Sequence, residues 1–302
     1  MTTDREKKCV LALGFFDGVH LGHAALLRRT AERAAEYGCP SAVMTFDTHP
    51  DTLVLGKAVP LINSAPDRAW LIRRYFHIDR VEFFRFTRET MQMSWQEFLS
   101  VVRSELGAIH FVVGYDFRFG YRGEGTADTL RHYCAENGLG CDVIDPVQVD
   151  GITVSSTYIR SLLTDGDMPR AERFMGHPHV LSDVVRHGHR LGRQLGAPTV
   201  NMQFAPEVLV PRHGVYATRV LLPEGVFPAV TNIGVRPTVD SESIVTVETH
   251  LLDFNGNLYG RALILQFFEH LRDEMRFAST QELSAQIAAD GERARKILEG
   301  HP

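Results

Sequence analysis

The sequence has few cysteines and lacks both long apolar runs and long basic stripes. Its four cysteines show neither a CxxC pair nor regular spacing, which is typical of reduced thiols in a cytosolic protein; they are Cys9, Cys39, Cys134 and Cys141. A membrane span needs about 18 consecutive apolar residues, and no run in the sequence approaches that length. The charged start MTTDREKK also has no apolar stretch like that of a signal peptide. We therefore expect a cytoplasmic protein that makes no contact with a membrane.

An excess of positive charge is also missing. The formal net charge is −5, and Lys and Arg form no cluster that could follow a phosphate backbone, so we expect no nucleic-acid partner. The chain does have ample apolar material. Apolar residues make up 44% of its 302 residues, which is enough for two domains with separate cores.

The first half of the chain alternates short apolar runs with amphipathic segments. This alternation predicts a doubly wound parallel sheet whose ligand lies at the carboxyl ends of the strands. A capping box at Ser94–Glu97 predicts the start of one helix. The expected strands are Val10–Leu13, Ala42–Phe46, Arg80–Phe84, Phe111–Val113 and Asp142–Ile144, and the expected helices are Ala24–Tyr37, Asp67–Phe76, Trp95–Leu106 and Ala127–Asn137.

The second half has a different pattern. From Leu181 onward, valine-rich segments separated by Gly, Pro and Asn predict an antiparallel β-barrel or sandwich. A terminal helix follows, because Ser279–Glu282 has the form of a second capping box and the apolar residues after it recur at helical spacing. The boundary is expected near Gly176–Leu181, giving domains over residues 1–178 and 179–302. The strands expected in the second domain are Val184–Arg186, Val215–Leu222, Val226–Ile233, Ile244–Leu252 and Ala262–His270.

The decapeptide GFFDGVHLGH, residues 14–23, follows the first expected strand and precedes the first expected helix. His20 and His23 are one helical turn apart, so they face the same side, and the start of a helix attracts phosphate. Asp17 could cap the turn or the helix behind it. The two histidines are also compatible with half of a metal site or with an exposed helix face, but no Cys or carboxylate is positioned to complete a tetrahedral set. We therefore predict a nucleotide triphosphate site, with phosphate-binding positions at Gly14, Phe16, Asp17, Gly18 and Gly22.

Further motifs follow this decapeptide in order through both halves. In the first half they are TFDTHP at 45–50, GYDFRFG at 114–120 and SSTYIR at 155–160. In the second half they are GRQLGAPTVN at 192–201, HGVYA at 213–217, NIGVRPTV at 232–239, VETHLLDF at 247–254, LYG at 258–260 and LRDEMRF at 271–277. With these motifs the chain resembles, over nearly its whole length, the prokaryotic bifunctional riboflavin kinase/FMN adenylyltransferases, also called FAD synthetases.

For the first domain the resemblance implies a parallel-sheet nucleotidyltransferase, which transfers AMP from ATP to FMN, forms FAD and releases pyrophosphate. His20 and His23 then serve as catalytic donors to the triphosphate. His49 and Asp116 are candidate flavin-binding residues, although a turn before a proline is also an ordinary place for His49. Asp116 could instead help to bind magnesium or the nucleotide. A second phosphate-binding motif is expected at a helix start, where a Ser-Ser-Thr run that could be an ordinary cap is followed by an arginine: Ser155, Ser156, Thr157 and Arg160.

For the second domain the resemblance implies an antiparallel β-barrel riboflavin kinase with a terminal helix, which phosphorylates the 5′-hydroxyl of riboflavin with ATP. Glu248 stands at the family's catalytic-base position, although a strand glutamate more commonly faces solvent. Thr199 and Asn201, two apart on an extended segment, point to one side and offer hard oxygen ligands for Mg²⁺. Arg272 and Glu274 are candidate flavin contacts. A glycine-punctuated loop adds three phosphate-binding candidates, Gly188, Gly192 and Arg193.

Three positions depart from the family pattern. Asp183 stands where relatives commonly have Gly, Ala197 where the GFPTAN form has Phe, and His177 where the GRP form has Arg. A carboxylate at Asp183 would repel bound ATP, so a monofunctional FMN adenylyltransferase with an impaired kinase is one alternative. A different nucleotidyltransferase and a non-catalytic flavin-binding regulator are two others. The expected partners are the small molecules riboflavin, FMN and ATP, and the expected cofactor is Mg²⁺.

Overall fold

The computed structural model describes residues 8–49, 52, 56, 58–186, 199–237 and 243–301. The chain divides into two compact units. The first combines Met1–Leu61 with Arg68–Ser155, and the second combines Ile62–Asp67 with Ser156–Pro302.

The first unit has the α/β architecture that the alternating pattern predicts. Its strands are β1 (Cys9–Leu13), β2 (Ser41–Phe46), β3 (Arg80–Phe84), β4 (Ala108–Gly114), β5 (Arg118–Phe119), β6 (Gly125–Thr126), β7 (Gly140–Ile144), β8 (Gln148–Val149) and β9 (Ile152–Thr153). Its helices are α1 (Leu21–Tyr37), α2 (Ala65–Phe76), which crosses the division between the units, α3 (Trp95–Leu106) and α4 (Ala127–Glu136).

A five-stranded parallel sheet, ordered β3-β2-β1-β4-β7, forms the centre of this unit. The strand order reverses at β1, because the chain runs outward to β2 and β3 on one side and then to β4 and β7 on the other. In such sheets a ligand crevice opens beyond the carboxyl ends of the strands at the point of reversal. The decapeptide that follows β1 therefore starts at the expected place for a ligand site.

Buried apolar side chains hold the helices against this sheet. Leu11 and Leu13 of β1 pack with Phe98 and Leu99 of α3 and with Leu130 of α4 in one core cluster. Each fully buried side chain of this size contributes about 1.5–3 kcal/mol. Because β1 is buried along its whole length, the start of the decapeptide is attached to a rigid strand.

The second unit is a curled antiparallel sheet with helices, as the valine-rich pattern predicts. Its sheet order is β10-β15-β12-β13-β14-β11. The strands are β10 (His179–Val184), β11 (Thr199–Met202), β12 (Gly214–Leu222), β13 (Gly225–Pro237), β14 (Ser243–Leu251) and β15 (Ala262–Arg272), and the helices are α5 (Ser156–Asp165), α6 (Met168–Met175) and α7 (Thr280–Glu299).

One local prediction in this unit is wrong and another is confirmed in part. The strand expected at Val184–Arg186 instead ends at Val184, because its pairing with β15 runs from His179 to Val184. Beyond that point Arg186 forms only an isolated bridge with Asn201. The capping box expected at Ser279–Glu282 is half formed: the Ser279 hydroxyl accepts from the Glu282 N–H at 3.2 Å, but the Glu282 carboxylate accepts from the Ala278 N–H.

A row of buried hydroxyls crosses the curled sheet. The Oγ1 atoms of Thr218 and Thr231 lie 2.8 Å apart, and those of Thr231 and Thr249 lie 2.9 Å apart. All three side chains are fully buried. The row joins β12, β13 and β14, and each hydroxyl has at least one hydrogen-bond partner, which removes the penalty for burying it.

Candidate active sites

The turn after β1 has an unusual backbone that is set by its own residues. Phe16, Gly18 and Val19 have positive φ angles of 58°, 79° and 42°. Such angles suit glycine at Gly18 but are strained for the β-branched Val19. Strained backbone of this kind is concentrated at functional sites, and here it directs the chain from β1 into the start of α1.

His20 caps helix α1 with its side chain. Its Nδ1 accepts a hydrogen bond from the N–H of His23 at 3.3 Å. Of the two caps expected of Asp17, the turn or the helix behind it, the helix cap is therefore taken by His20, and Asp17 lies buried in the preceding turn. Since Nδ1 of His20 is an acceptor, a neutral ring carries its proton on Nε2. This cap fixes which nitrogen of His20 can donate to a phosphate oxygen.

The two histidine rings are stacked on each other. Their centroids lie 3.6 Å apart with an interplanar angle of 12°, and Phe16 lies 5.2 Å from the ring of His23. Burial, together with the nearby His20 and Arg68, lowers the pKa of His23 well below its usual range. His23 is therefore neutral at physiological pH. A neutral imidazole can donate an N–H to a phosphate oxygen without carrying a fixed positive charge.

Two of the decapeptide glycines make room for side chains of the decapeptide itself. A Cβ on Gly14 would lie 3.0 Å from the Phe16 ring, and one on Gly22 would lie 3.1 Å from the His20 ring. The sequence prediction assigned these glycines to the close approach of a ligand. The structure adds a second reason for them, because a larger residue at either position would displace Phe16 or His20.

The other first-domain candidates are dispersed along the chain. His49 packs its ring 4.6 Å from Phe15, and its carbonyl accepts from the Thr52 N–H, as expected of a turn. Asp116 is exposed after β4, and a Cβ on Gly114 would lie 3.1 Å from its carboxylate. The motif of Ser155, Ser156, Thr157 and Arg160 stands at the start of α5, where the chain passes from one compact unit to the other.

The second unit contains a cavity of about 360 Å³ on the curled sheet. Three of the predicted site residues, Glu248, Arg272 and Glu274, line it together with the predicted metal ligand Thr199. Asn201 is not among its lining residues, but it pairs across the sheet with Glu248. The remaining lining residues are Val215, Val230, Asn232, His250, Met275, Phe277, Leu283, Ile287 and Asp290.

The strand register brings the polar residues of this cavity together. On one side of β14, Glu248 is opposite Asn201 of β11, and on the other it is opposite Asn232 of β13. Residues directly opposite each other in antiparallel strands lie on the same face. The carboxylate, two amides and the hydroxyl of Thr199 therefore supply hard oxygen atoms on one patch of the sheet, which fits a Mg²⁺ ion.

The two candidate flavin contacts are held by residues that the sequence prediction missed. The guanidinium of Arg272 pairs with the buried Asp290 of α7, with its Nη2 2.8 Å from Oδ2, and Gln286 donates to the same carboxylate at 2.8 Å. Glu274 accepts from the amide of Asn232 at 3.0 Å. The motif NIGVRPTV contains Asn232 and could have identified it, whereas nothing local to the sequence marks Asp290.

The departures from the family pattern have structural roles where the structure describes them. The Asp183 carboxylate accepts from the N–H groups of Val184 at 2.8 Å and Gln203 at 2.9 Å, and it lies 3.5 Å from the guanidinium of Arg186. Its charge is thus compensated locally. His177 is buried, with its Nδ1 2.9 Å from the Pro178 carbonyl. Ala197 and the loop candidates Gly188, Gly192 and Arg193 lie outside the described residues.

Comparison with known proteins matches both halves of the chain. Residues 2–158 match the family model for FAD synthetase, and residues 175–298 match that for riboflavin kinase. A bifunctional riboflavin kinase/FMN adenylyltransferase from Pseudomonas fluorescens is 40% identical over 295 residues, which cover 96% of this chain and 93% of that protein. The chain belongs to the bifunctional riboflavin kinase/FMN adenylyltransferase family.

Other bifunctional riboflavin kinase/FMN adenylyltransferases are similar over the same length. The protein from Escherichia coli is 38% identical over 301 residues, covering 97% of this chain and 94% of that one. The protein from Bacillus subtilis is 32% identical over 295 residues, covering 96% and 93%. A solved structure described as a macrolide-efflux protein from Streptococcus pneumoniae has the same fold, with a TM-score of 0.83, 28% identity and coverage of 95% and 94%. Within the described ranges of the chain, no helix combines the length and the apolar character needed to cross a membrane.

Proposed function

We propose that this protein phosphorylates riboflavin to FMN with one ATP and then transfers AMP from a second ATP to FMN, which forms FAD and pyrophosphate. The observation that carries the proposal is the match of the two halves to the two family models, 2–158 and 175–298. The turn over residues 14–23 with His20 and His23, here called the histidine turn, supplies a candidate centre for adenylyl transfer. The cavity lined by Glu248 in the second unit, here called the kinase cavity, supplies one for phosphorylation.

In the proposed kinase reaction, the 5′-hydroxyl oxygen of riboflavin attacks the γ-phosphorus of ATP, and ADP leaves. Glu248 accepts the hydroxyl proton as the new bond forms. The position of Glu248 in a half-enclosed cavity beside Asn232 supports this role. Arg272 and Glu274 contact the flavin from the rim of that cavity, and the loop with Gly188, Gly192 and Arg193 is assigned to the ATP phosphates.

Mg²⁺ belongs to the same proposal. The hydroxyl of Thr199 and the amide oxygen of Asn201 would hold the ion beside Glu248, and the ion would neutralise charge on the ATP phosphates. The cross-strand pairing of Asn201 with Glu248 supports this assignment.

In the proposed adenylyl transfer, a phosphate oxygen of FMN attacks the α-phosphorus of ATP, and pyrophosphate leaves. His20 and His23 donate N–H groups to the phosphate oxygens as charge develops on them. The fixed tautomer of His20 and the neutral state of His23 support these roles. The motif from Ser155 to Arg160 is assigned to the same phosphates, and His49 and Asp116 to the flavin nucleotide.

The proposal assigns residues 1–178 to FMN adenylyltransferase and residues 179–302 to riboflavin kinase. It also assigns the enzyme to the cytoplasm, where FAD is made from small-molecule substrates. The free thiol state of Cys9, Cys39, Cys134 and Cys141 supports a reducing compartment.

The test is to incubate the purified chain with riboflavin, ATP and Mg²⁺ and to separate the flavins by chromatography. We expect FMN to appear first and FAD to follow, with two ATP consumed for each FAD. With FMN as the only flavin supplied, one ATP should be consumed. Absence of both products at saturating Mg²⁺ contradicts the proposal, and FAD from FMN without FMN from riboflavin identifies a monofunctional enzyme.

The metal assignment has its own prediction. Asn201→Ala should raise the Mg²⁺ concentration needed for half-maximal riboflavin phosphorylation, because one oxygen ligand is lost, and should leave FMN adenylylation unchanged. Asn255→Ala, which changes an exposed asparagine of the same unit, is the matched control. A Mg²⁺ titration of both activities checks this, and equal loss of the two activities would contradict the assignment.

A further inference from the structure

The most deeply buried charged side chain in the described part of the first unit is that of Arg68, on helix α2. It is fully inaccessible to solvent. Burial lowers the pKa of Arg68 to about 10, and the nearby carboxylates of Asp17 and Asp47 partly oppose this effect. Arg68 is therefore a cation at physiological pH. A buried cation is costly unless hydrogen bonds and opposite charges compensate for it.

One nitrogen of Arg68 makes three hydrogen bonds that tie two chain segments together. Its Nη1 donates to the Phe15 carbonyl at 2.8 Å, to the Thr45 hydroxyl at 2.7 Å and to the Phe46 carbonyl at 3.1 Å. The Thr45 hydroxyl also donates to the Phe15 carbonyl at 2.7 Å. Phe15 opens the histidine turn, whereas Thr45 and Phe46 end strand β2. These bonds fix the turn relative to the carboxyl end of the neighbouring strand.

The guanidinium also lies against the side chain of Phe15. Its central carbon is 4.2 Å from the centroid of the Phe15 ring, a cation–π distance, and His49 contacts the same ring from 4.6 Å. Its Nε and Nη2 are buried and make no hydrogen bond within the described residues. The same cation acts electrostatically on His23. Arg68 thus contacts the segment before the catalytic histidines and also influences one of them directly.

We propose that Arg68 is a positioning residue for the adenylyl transfer proposed above: it fixes the turn that carries His20 and His23. The hydrogen bonds supply this effect. The charge of Arg68 adds to burial and to His20 in lowering the pKa of His23, because a cation beside an imidazole disfavours a second positive charge. The groups that act on this pair are His20 and Asp17 from the turn, Asp47 from the end of β2 and Arg68 from α2.

Two variants separate the hydrogen bonds from the charge. Arg68→Lys keeps the cation on a shorter side chain whose nitrogen should not reach the three acceptors of Nη1, and Arg68→Met removes both the cation and the donors. Arg74→Met, which changes an exposed arginine of the same helix, is the matched control. Each protein is assayed for FAD formation from FMN across a range of pH. Tryptophan fluorescence, which comes from Trp70 and Trp95 of the first unit, reports that this unit has folded, and riboflavin phosphorylation by the same preparation reports the other unit.

We expect Arg68→Met to lower kcat for FAD formation by about a hundredfold, the cost of a small misplacement of catalytic groups. The acidic side of its pH–rate profile should move to higher pH, because the pKa of His23 rises when the cation is gone. Arg68→Lys should lower kcat but leave the acidic side of the profile where it is in the parent. Riboflavin phosphorylation should stay at the parent rate in both variants, and Arg74→Met should match the parent throughout.

The proposal would be overturned if both Arg68 variants kept the kcat and the pH–rate profile of the parent. Equal loss of the two activities would also overturn it, because that result would mean a purely structural role. If Arg68→Met does not fold, Arg68→Lys decides alone: a selective fall in FAD formation supports the proposal, and the parent rate overturns it. A parent protein that makes FMN but no FAD would instead overturn the proposed adenylyl transfer, and this role of Arg68 with it.

Discussion

At the scale of single residues, the two candidate centres offer different chemical groups, and each set suits the reaction proposed for it. The histidine turn offers N–H donors in a partly buried setting, which suits a reaction whose difficulty is charge on phosphate oxygens. The kinase cavity offers a carboxylate, which suits a reaction that starts from a neutral hydroxyl and must release a proton. One side chain in each centre can therefore be changed without touching the other.

His23→Ala should lower the rate of FAD formation from FMN on the order of a hundredfold, because one donor to the developing charge is lost. Riboflavin phosphorylation should be unchanged, so FMN accumulates when riboflavin is supplied. His132→Ala, at an exposed position of the same unit, serves as the control. The measurement is the distribution of flavin products over time. FAD accumulation at the parent rate would show that His23 is not a donor in the transition state.

Glu248→Gln should abolish most riboflavin phosphorylation, because an amide of the same shape cannot take the 5′-hydroxyl proton. Added FMN should still be converted to FAD at the parent rate. Glu207→Gln, an exposed change in the same unit, is the control. Initial rates with riboflavin and with FMN check the prediction, and circular dichroism establishes that the variant is folded. Phosphorylation at the parent rate would mean that another group is the base.

At the scale of elements, the sequence predicts what depends on local signals. Helix α3 has the predicted bounds Trp95–Leu106, because its capping box and the glycine after it are both local. The prediction of a strand at Val184–Arg186 is wrong because the extent of β10 is set by pairing with β15, a partner roughly eighty to ninety residues away. The same limit applies to the sites. Glu248 belongs to a motif, whereas Arg68 and Asp290 act through contacts that only the folded chain brings together.

One cross-element network gives a pH-dependent prediction. Arg29 and Arg33 of α1 each place Nε 2.8 Å from Asp142 of β7, and His110 of β4 places Nε2 at 3.1 Å from the same carboxylate. Burial acts to raise the pKa of Asp142, but the hydrogen bonds from the two arginines outweigh it and hold the pKa well below its usual range. The stabilisation is therefore complete above the unfolded pKa of about 3.9 and is lost as pH falls toward the folded one.

Asp142→Asn should lower the free energy of unfolding of the first unit by about 1 kcal/mol at neutral pH, since the pairs are partly exposed. The difference from the parent should shrink below about pH 4, where the carboxylate of the unfolded chain becomes protonated. Asp145→Asn, at an exposed position, is the control. Urea denaturation followed by tryptophan fluorescence measures this unit selectively, because Trp70 and Trp95 are the protein's two tryptophans. A difference that is constant with pH would contradict the assignment.

At the scale of the whole molecule, two centres in two compact units carry consecutive reactions. The product of the proposed kinase is the acceptor of the proposed adenylyltransferase, so one chain converts riboflavin to FAD if FMN reaches the first unit. FMN could pass between the two centres of one molecule or leave one molecule and bind to another. The His23→Ala and Glu248→Gln variants distinguish these two routes.

An equimolar mixture of the His23→Ala and Glu248→Gln proteins should form FAD from riboflavin, although each protein alone should form little. FMN made by the first variant would leave it and be adenylylated by the second. The rate should rise with protein concentration until free FMN saturates the second variant. Chromatography of the flavins from the mixture and from the separate proteins checks this. FMN that accumulates in the mixture without conversion would contradict free exchange.

The double role of His20 affects how substitutions at the two histidines should be interpreted. Its Nδ1 caps α1 and its Nε2–H is the proposed donor, so a replacement removes a helix cap, worth about 1 kcal/mol, along with the proposed catalytic group. His23 has no such capping role. In a scan of all substitutions, selection for FAD synthesis and selection for abundance should both act against changes at His20, whereas selection for abundance should act less strongly at His23, whose replacement removes packing but no cap. The more sensitive position in such a scan need not be the more important one in catalysis.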